Sequence, residues 1–156
     1  MRRGLVTALA VLALAACDGS PAGLPSPTPQ GSIPNADPNC PTDGVDYQPG
    51  DAYPASTAEL TIVAPEQGEI IDGTTVTVEV SLKEACILGQ AQQLVRPDTG
   101  HVHITLDGRT ITLAAGKTYT IDDVEPRLHT LQAEFAAADH VPFNPRVITT
   151  VNFRTT

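Results

Sequence analysis

The sequence predicts an all-β fold, an immunoglobulin-like antiparallel β-sandwich of about seven strands that follows a disordered Pro-rich linker. Short runs rich in β-branched residues, separated by turn signals, fill the chain from about residue 57 onwards. The run Thr74–Leu82 alternates strictly between apolar and polar residues, as a half-buried strand does. By contrast, no run of useful length has the spacing of an amphipathic helix.

Seven segments carry the strand pattern in turn, and they cover residues 58–63, 74–82, 101–106, 109–113, 118–121, 128–136 and 146–153. The alanines of the sixth segment also suit a helix. Its residues Leu131, Ala133 and Phe135 alternate, however, and this alternation favours a strand. The domain is therefore expected to span residues 57–156, which is enough for a single core.

The third and fourth segments are joined by Asp107-Gly108, a strong signal for a two-residue hairpin turn. Such a turn predicts a register that pairs Leu106 with Arg109, Ile104 with Ile111 and Val102 with Leu113. The apolar residues then share one face of the hairpin. His101 and His103 are therefore expected on the face away from the core.

The first residues have the features of an export signal. Arg2 and Arg3 precede a short apolar run, Leu5–Leu14, which is too short to span a bilayer. The "LAAC" that follows resembles the lipobox of bacterial lipoproteins, in which cleavage leaves a lipidated cysteine at the new N-terminus. The resemblance implies a signal peptide over residues 1–16 and lipidation of Cys17. The alternative is an ordinary signal peptide with a stray cysteine.

A lipidated Cys17 implies a protein of the cell envelope, held to the membrane by its acyl chains and facing the periplasm or the cell exterior.

The formal net charge of −9 argues against nucleic acid as a partner, because an acidic surface repels phosphates. Nine of the fourteen prolines lie between residues 21 and 54, so residues 17–56 are expected to be a disordered, extended linker.

Two further cysteines, Cys40 and Cys86, lie outside the leader. Because the exported compartment is oxidising, they are expected to form one disulfide. The alternative is a pair of free thiols.

Three segments, "GHVHITLDG", "LHTLQAEFAAADHVPF" and "VITTVNF", are similar to a family of small secreted bacterial immunoglobulin-like domains of unknown function. The residues that match its Gly-His-x-His, His-Thr-Leu and Asp-His motifs are His101, His103, His129, Thr130, Leu131 and His140. The chain departs from the family at Pro126-Arg127-Leu128, where the family usually has Pro-Gly. The resemblance implies the sandwich fold and leaves the function open.

His129 has the parity of Leu131 and Phe135, so its side chain is expected to point inwards at the start of its strand. At this corner of immunoglobulin-like sandwiches, a tyrosine hydroxyl often bonds to the backbone. An imidazole can make a similar bond, and we therefore expect a structural role for His129.

The other three histidines are predicted to lie together. If the third and sixth segments pair antiparallel, His101, His103 and His140 gather at one end of the domain. Residues i and i+2 of a strand project on the same side about 6–7 Å apart, a spacing that one metal ion can bridge. With the nearby carboxylates of Asp98 and Asp139, these imidazoles would suit Cu²⁺ or Zn²⁺. The alternative is that they face solvent and cover a hairpin.

The sequence has no serine in a G-x-S-x-G elbow and no recognisable catalytic triad, so we do not expect an enzyme. The leading interpretation is a membrane-anchored envelope lipoprotein that acts as a non-enzymatic binding or interaction module, with an envelope protein as its partner. The alternative is an envelope protein that binds Cu²⁺ or Zn²⁺ through His101, His103 and His140.

Overall fold

The computed structural model describes residues 37, 39–89, 91–114 and 117–156. The expected signal peptide, Cys17 and most of the expected linker lie outside these residues. The described residues form eleven β-strands and no helix, which confirms the predicted all-β class. Accordingly, no helix in this part of the chain has the length and hydropathy that a membrane span needs. The strands are Val45–Asp46 (β1), Glu59–Ala64 (β2), Ile70–Ile71 (β3), Val76–Lys83 (β4), Cys86–Ile87 (β5), Leu94–Val95 (β6), Thr99–Leu106 (β7), Arg109–Ala114 (β8), Thr118–Ile121 (β9), Leu128–Ala137 (β10) and Pro142–Thr155 (β11).

Two sheets pack face to face and enclose the core. The smaller sheet has the order β2, β4, β9, and both pairings are antiparallel. The larger sheet has the order β3, β11, β10, β7. Strand β7 also pairs with β8, and the first residues of β7 pair with β5. The long strands of the larger sheet pair antiparallel, whereas β3 and β5 are short parallel additions. Two antiparallel sheets connected in this way form the predicted immunoglobulin-like sandwich.

Alternation along the strands directs one face of each sheet into the core. On β4, Val76, Val78 and Val80 are at most 2% exposed, and the residues between them point outwards. In the larger sheet, Phe135 and Phe143 stack with ring centroids 5.6 Å apart. Full burial of one such side chain contributes about 1.5–3 kcal/mol, so this layer is what holds the two sheets together.

The β7–β8 hairpin follows the predicted register only next to its turn. Leu106 pairs with Arg109 as expected, but Ile104 pairs with Thr112 and Val102 with Ala114, so the two other predicted pairs are wrong. The register shifts between Ile104 and Thr105, where Ile111 is an extra residue and is 42% exposed. Such bulges concentrate on strands at a sheet edge, where β8 lies, because the unpaired residue can face solvent there.

Residues 39–56 are folded onto the domain, which corrects the expected boundary at residue 57. Val45 and Asp46 form β1, which pairs antiparallel with β6. The rings of Tyr47 and Tyr53 stack 5.0 Å apart and pack against the core. Composition alone suggested a disordered linker here, but strand pairing and aromatic burial offset the chain entropy that ordering costs.

The predicted disulfide between Cys40 and Cys86 is present, with Cα atoms 5.7 Å apart. Cys86 belongs to β5, which adjoins the first residues of β7. The bridge therefore fastens the N-terminal segment beside the strand that carries His101 and His103.

Candidate functional site

Pairing between β7 and β10 brings three of the four histidines together. The two strands run antiparallel, with His103 opposite Glu134 and His101 opposite Ala136. The start of β7 therefore lies beside the end of β10, where the chain turns and carries His140. His129, at the start of β10, lies at the opposite end of the sheet.

The three imidazoles form one stack, with His140 in contact with both others. The ring centroids of His101 and His140 are 4.4 Å apart, and their planes differ by 16°. His103 and His140 are 5.4 Å apart at 24°. The closest polar contact joins Nε2 of His103 to Nδ1 of His140, at 3.2 Å.

His101 lies on the sheet face away from the core, as its parity predicts, but it does not face solvent. It is only 1% exposed, because the turn after β10 covers it. Its Nε2–H donates to the carbonyl of Ala138 over 3.2 Å. Burial, reinforced by the neighbouring imidazoles of His140 and His103, lowers the pKa of His101 to about 4. The alternative prediction, that the histidines face solvent, is therefore wrong for His101.

His103 is half-buried and lies beside an ion pair between the buried carboxylate of Glu134 and the exposed side chain of Arg146. Burial and then His140 lower the pKa of its imidazole, and Glu134 acts in the opposite direction. The carboxylate of Glu134 accepts two hydrogen bonds from the Arg146 guanidinium, at 2.7 and 2.6 Å. Because Arg146 donates to both oxygens of this carboxylate, Glu134 pairs with Arg146 rather than with His103.

The turn that carries His140 is held from two sides. His140 has a φ of +68°, in the left-handed region, and its N–H donates to the carbonyl of Ala137 over 2.8 Å. Oδ1 of Asp139 accepts from the N–H of Val141 at 3.1 Å, and Oδ2 accepts from the hydroxyl of Tyr53. Burial and then Asp139 raise the pKa of Tyr53 to about 12. The sequence carries no signal for this contact, because the two residues are 86 positions apart.

The predicted three-histidine metal set does not form as one coordination sphere. Among the described residues, no group of three or more His, Cys, Asp or Glu side chains is arranged to hold a metal ion. His101 donates to a carbonyl instead. The two carboxylates considered as ligands are also engaged, Asp98 with Arg96 at 2.9 Å and Asp139 with Tyr53. Only His103 and His140 direct ring nitrogens at each other.

His129 lies at the opposite corner and is 2% exposed. Its Nε2 lies 2.7 Å from the carbonyl oxygen of Glu125, and its Nδ1 lies 2.8 Å from Oδ2 of Asp107. Burial opposes ionisation of Asp107, but hydrogen bonds from the Thr130 N–H and His129, with the charge of Arg127, outweigh it and lower its pKa. These bonds join the β7–β8 turn to the start of β10.

The outer face of the larger sheet is a second candidate surface. In its middle row, Gln132 pairs with Thr150 on one side and with Thr105 on the other, and Thr110 continues the row on β8. In the next row, the hydroxyl of Thr130 donates to Oδ1 of Asn152 over 2.8 Å. The face thus presents rows of neutral hydroxyl and amide groups.

This face carries little charge. Strands β7, β10 and β11 together contain only three Asp, Glu, Lys or Arg residues, namely Glu134, Arg146 and Arg154. The first two neutralise each other in the ion pair. Since the chain as a whole has a formal charge of −9, its acidic residues are concentrated elsewhere.

The fold and these two surfaces define an immunoglobulin-like domain with a histidine stack at one end. The chain matches no protein-family model and no curated protein. Among solved structures it is similar to the fibronectin(III)-like modules of Clostridium thermocellum CbhA, with 16% identity and a TM-score of 0.45, over 63% of this chain and 46% of that one. It is also similar to an engineered protein, with 15% identity and a TM-score of 0.40, over 64% of this chain and 20% of that one. The chain spans less than half the length of either structure.

Proposed function

We propose that this protein is a lipid-anchored envelope lipoprotein whose domain is a non-enzymatic binding module for another envelope protein. The partner would bind to the outer face of the larger sheet. The near-neutral character of that face in an acidic chain is the observation that carries the proposal.

A neutral polar face suits a protein partner for an energetic reason. The centres of protein interfaces are depleted in charged side chains, because each charge must lose its hydration on binding. Thr105, Gln132 and Thr150 offer hydroxyl and amide groups that can bond across an interface. Ile148, next to this row, is 39% exposed and adds apolar area to the same face. The surface can therefore be covered with few unpaired charges.

The proposed anchor supplies the location of this module. The lipobox-like "LAAC" would place the lipid on Cys17, and the Pro-rich residues that follow would hold the domain away from the membrane surface. Replacement of Cys17 by Ser tests the anchor directly. The unaltered chain is expected to sediment with membranes and to incorporate labelled fatty acid, and Cys17→Ser to do neither. Equal labelling of both chains would reject the anchor.

The binding face can be tested with a photo-crosslinking amino acid in cells that carry the full chain. Position 150 lies in the middle of the proposed face, and position 77 is a matched control, because Thr77 is also an exposed threonine on a strand but belongs to the other sheet. A discrete protein adduct is expected from position 150 and none from position 77. A second change, Gln132→Glu, should abolish the adduct by placing a charge in the interface. Equal adducts from both positions, or none from position 150, would contradict the proposal.

A further inference from the structure

We propose that His103 and His140 form a two-histidine chelate for a divalent ion, Cu²⁺ or Zn²⁺, and that His101 is a packing residue outside the coordination sphere. This inference does not depend on the proposed partner-binding face. It rests on the direction of the ring nitrogens in the stack.

The separation of the two facing nitrogens suits one metal ion. Nε2 of His103 and Nδ1 of His140 are 3.2 Å apart. Two bonds of about 2.0–2.1 Å from these atoms to a common ion would enclose an angle of about 100°. This value lies between the angles of about 90° and about 109° of square-planar and tetrahedral coordination, which Cu²⁺ and Zn²⁺ prefer.

His101 is excluded because one of its ring nitrogens is already hydrogen-bonded within the protein. Its Nε2 carries the proton that is donated to Ala138. Its ring packs on that of His140 with centroids 4.4 Å apart, whereas the ring-nitrogen contact with His140 at 3.2 Å is made by His103. The side chain therefore lies outside the coordination sphere and packs against the ring of His140.

The backbone at His140 supports a role for this imidazole. A φ of +68° is uncommon outside glycine, although Asn, Asp and His adopt it more readily than other residues. Glycine or asparagine would fit the turn at lower cost. Hydrogen bonds to Asp139 from Val141 and Tyr53 hold the turn in this conformation. The fold thus retains a histidine at a strained position and points its Nδ1 at His103.

The proton balance of binding is simple. In the apo protein one of the two facing nitrogens carries a proton and donates it to the other. Before the ion binds, that imidazole shifts to its other tautomer, so each of the two nitrogens has a lone pair available to the metal and no proton is released from the pair. The remaining coordination positions would be taken by water or by a donor from a partner.

Titration with Cu²⁺ tests the assignment. The full chain, in detergent and without a histidine tag, should bind one ion and show an EPR signal coupled to two imidazole nitrogens. His103→Gln and His140→Asn should each lower the affinity about a hundredfold, because a chelate is reduced to a single donor. Asn is chosen at position 140 because it tolerates the left-handed conformation. His101→Phe should keep both the affinity and the spectrum, since phenylalanine preserves the stacked ring.

Three outcomes would overturn the proposal. The first is an absence of binding to the unaltered chain. The second is retention of full affinity by both His103→Gln and His140→Asn, which would place the ion elsewhere. The third is loss of binding in His101→Phe, which would restore a three-histidine site. Thermal unfolding of each variant with a chelator present separates loss of a ligand from loss of the fold.

Discussion

The hydroxyl of Tyr53 donates a hydrogen bond to Oδ2 of Asp139, and this bond ties the N-terminal segment to the turn that carries His140. Tyr53→Phe removes the bond and retains the ring. We expect the free energy of unfolding to fall by about 1.5 kcal/mol, the lower value for a hydrogen bond to a charged group. Urea denaturation measures the change. Tyr47→Phe is the control, since its hydroxyl has no hydrogen bond to the described residues, and an equal loss there would contradict this assignment.

The same bond predicts a dependence on alkaline pH. The pKa of Tyr53 is raised from 10.0 to about 12 by burial and then by Asp139, so folding favours the neutral phenol. The stabilisation is complete below the unfolded pKa and is lost as the pH rises through the folded one. Absorbance near 295 nm should therefore show one tyrosine that titrates late. If the late phase persists in Tyr53→Phe, it belongs to another residue.

Reduction of the Cys40–Cys86 disulfide should loosen the N-terminal segment before the sandwich unfolds. The chain-entropy estimate for a bridge across 46 residues is about 4 kcal/mol, and it is an upper value because β1 also fixes the segment. We expect faster chymotryptic cleavage after Tyr47 or Tyr53 in the reduced protein. Cleavage of a Cys40→Ser, Cys86→Ser variant should not respond to reductant. Unchanged cleavage after full reduction would show that the disulfide does not hold this segment.

Gly100 is a site where an added methyl group has no room. A Cβ there would lie 2.0 Å from the carbonyl oxygen of Ala136, so the strands β7 and β10 would have to separate. Gly100→Ala should cost about 1–3 kcal/mol or more by overpacking. Gly50→Ala reports backbone strain alone, because its φ is +101° and its Cβ would meet nothing within 4 Å. Equal losses in the two variants, measured by denaturant unfolding, would argue against the steric explanation.

Asp107 joins the β7–β8 turn to β10 through its carboxylate. Its pKa is lowered by the Thr130 N–H, His129 and Arg127, against the opposing effect of burial. Asp107→Asn retains a residue that tolerates the turn's φ of +51° and should cost about 2 kcal/mol at neutral pH. Because a carboxylate with a lowered folded pKa stabilises above its unfolded pKa, the difference should shrink as the pH falls below about 4. A difference that is constant with pH would exclude the carboxylate as its cause.

The positions of the seven longer strands were predictable because they depend on local alternation, whereas the four strands of two residues were not predicted. Val76, Val78 and Val80 repeat with period two, and this repeat can bury one face only in an extended strand. The Asp107-Gly108 turn likewise specified the first pair of its hairpin. The bulge at Ile111 was not predictable, since it depends on the position of β8 at a sheet edge.

The sequence predicted which three histidines lie together, but it did not predict how their rings are arranged. The pairing of β7 with β10 brings His101, His103 and His140 to one end, as the antiparallel arrangement requires. The alternation of side chains along the strand could not show that the turn after β10 covers His101. Nor could it show that Nε2 of His101 donates to the carbonyl of Ala138. Those facts reduce three candidate ligands to the pair of His103 and His140.

The amino-acid sequence alone was enough to predict the all-β class, the seven longer strands, the inward direction of His129 and the two cysteines that pair. Each of these follows from periodicity over neighbouring residues or from the chemistry of one residue type. Three features became visible only in the folded chain: residues 39–56 join the domain, Tyr53 supports Asp139, and the imidazoles stack. The reason is that contacts between residues far apart in the chain depend on sheet register and on the path of the turns, which a local pattern does not specify.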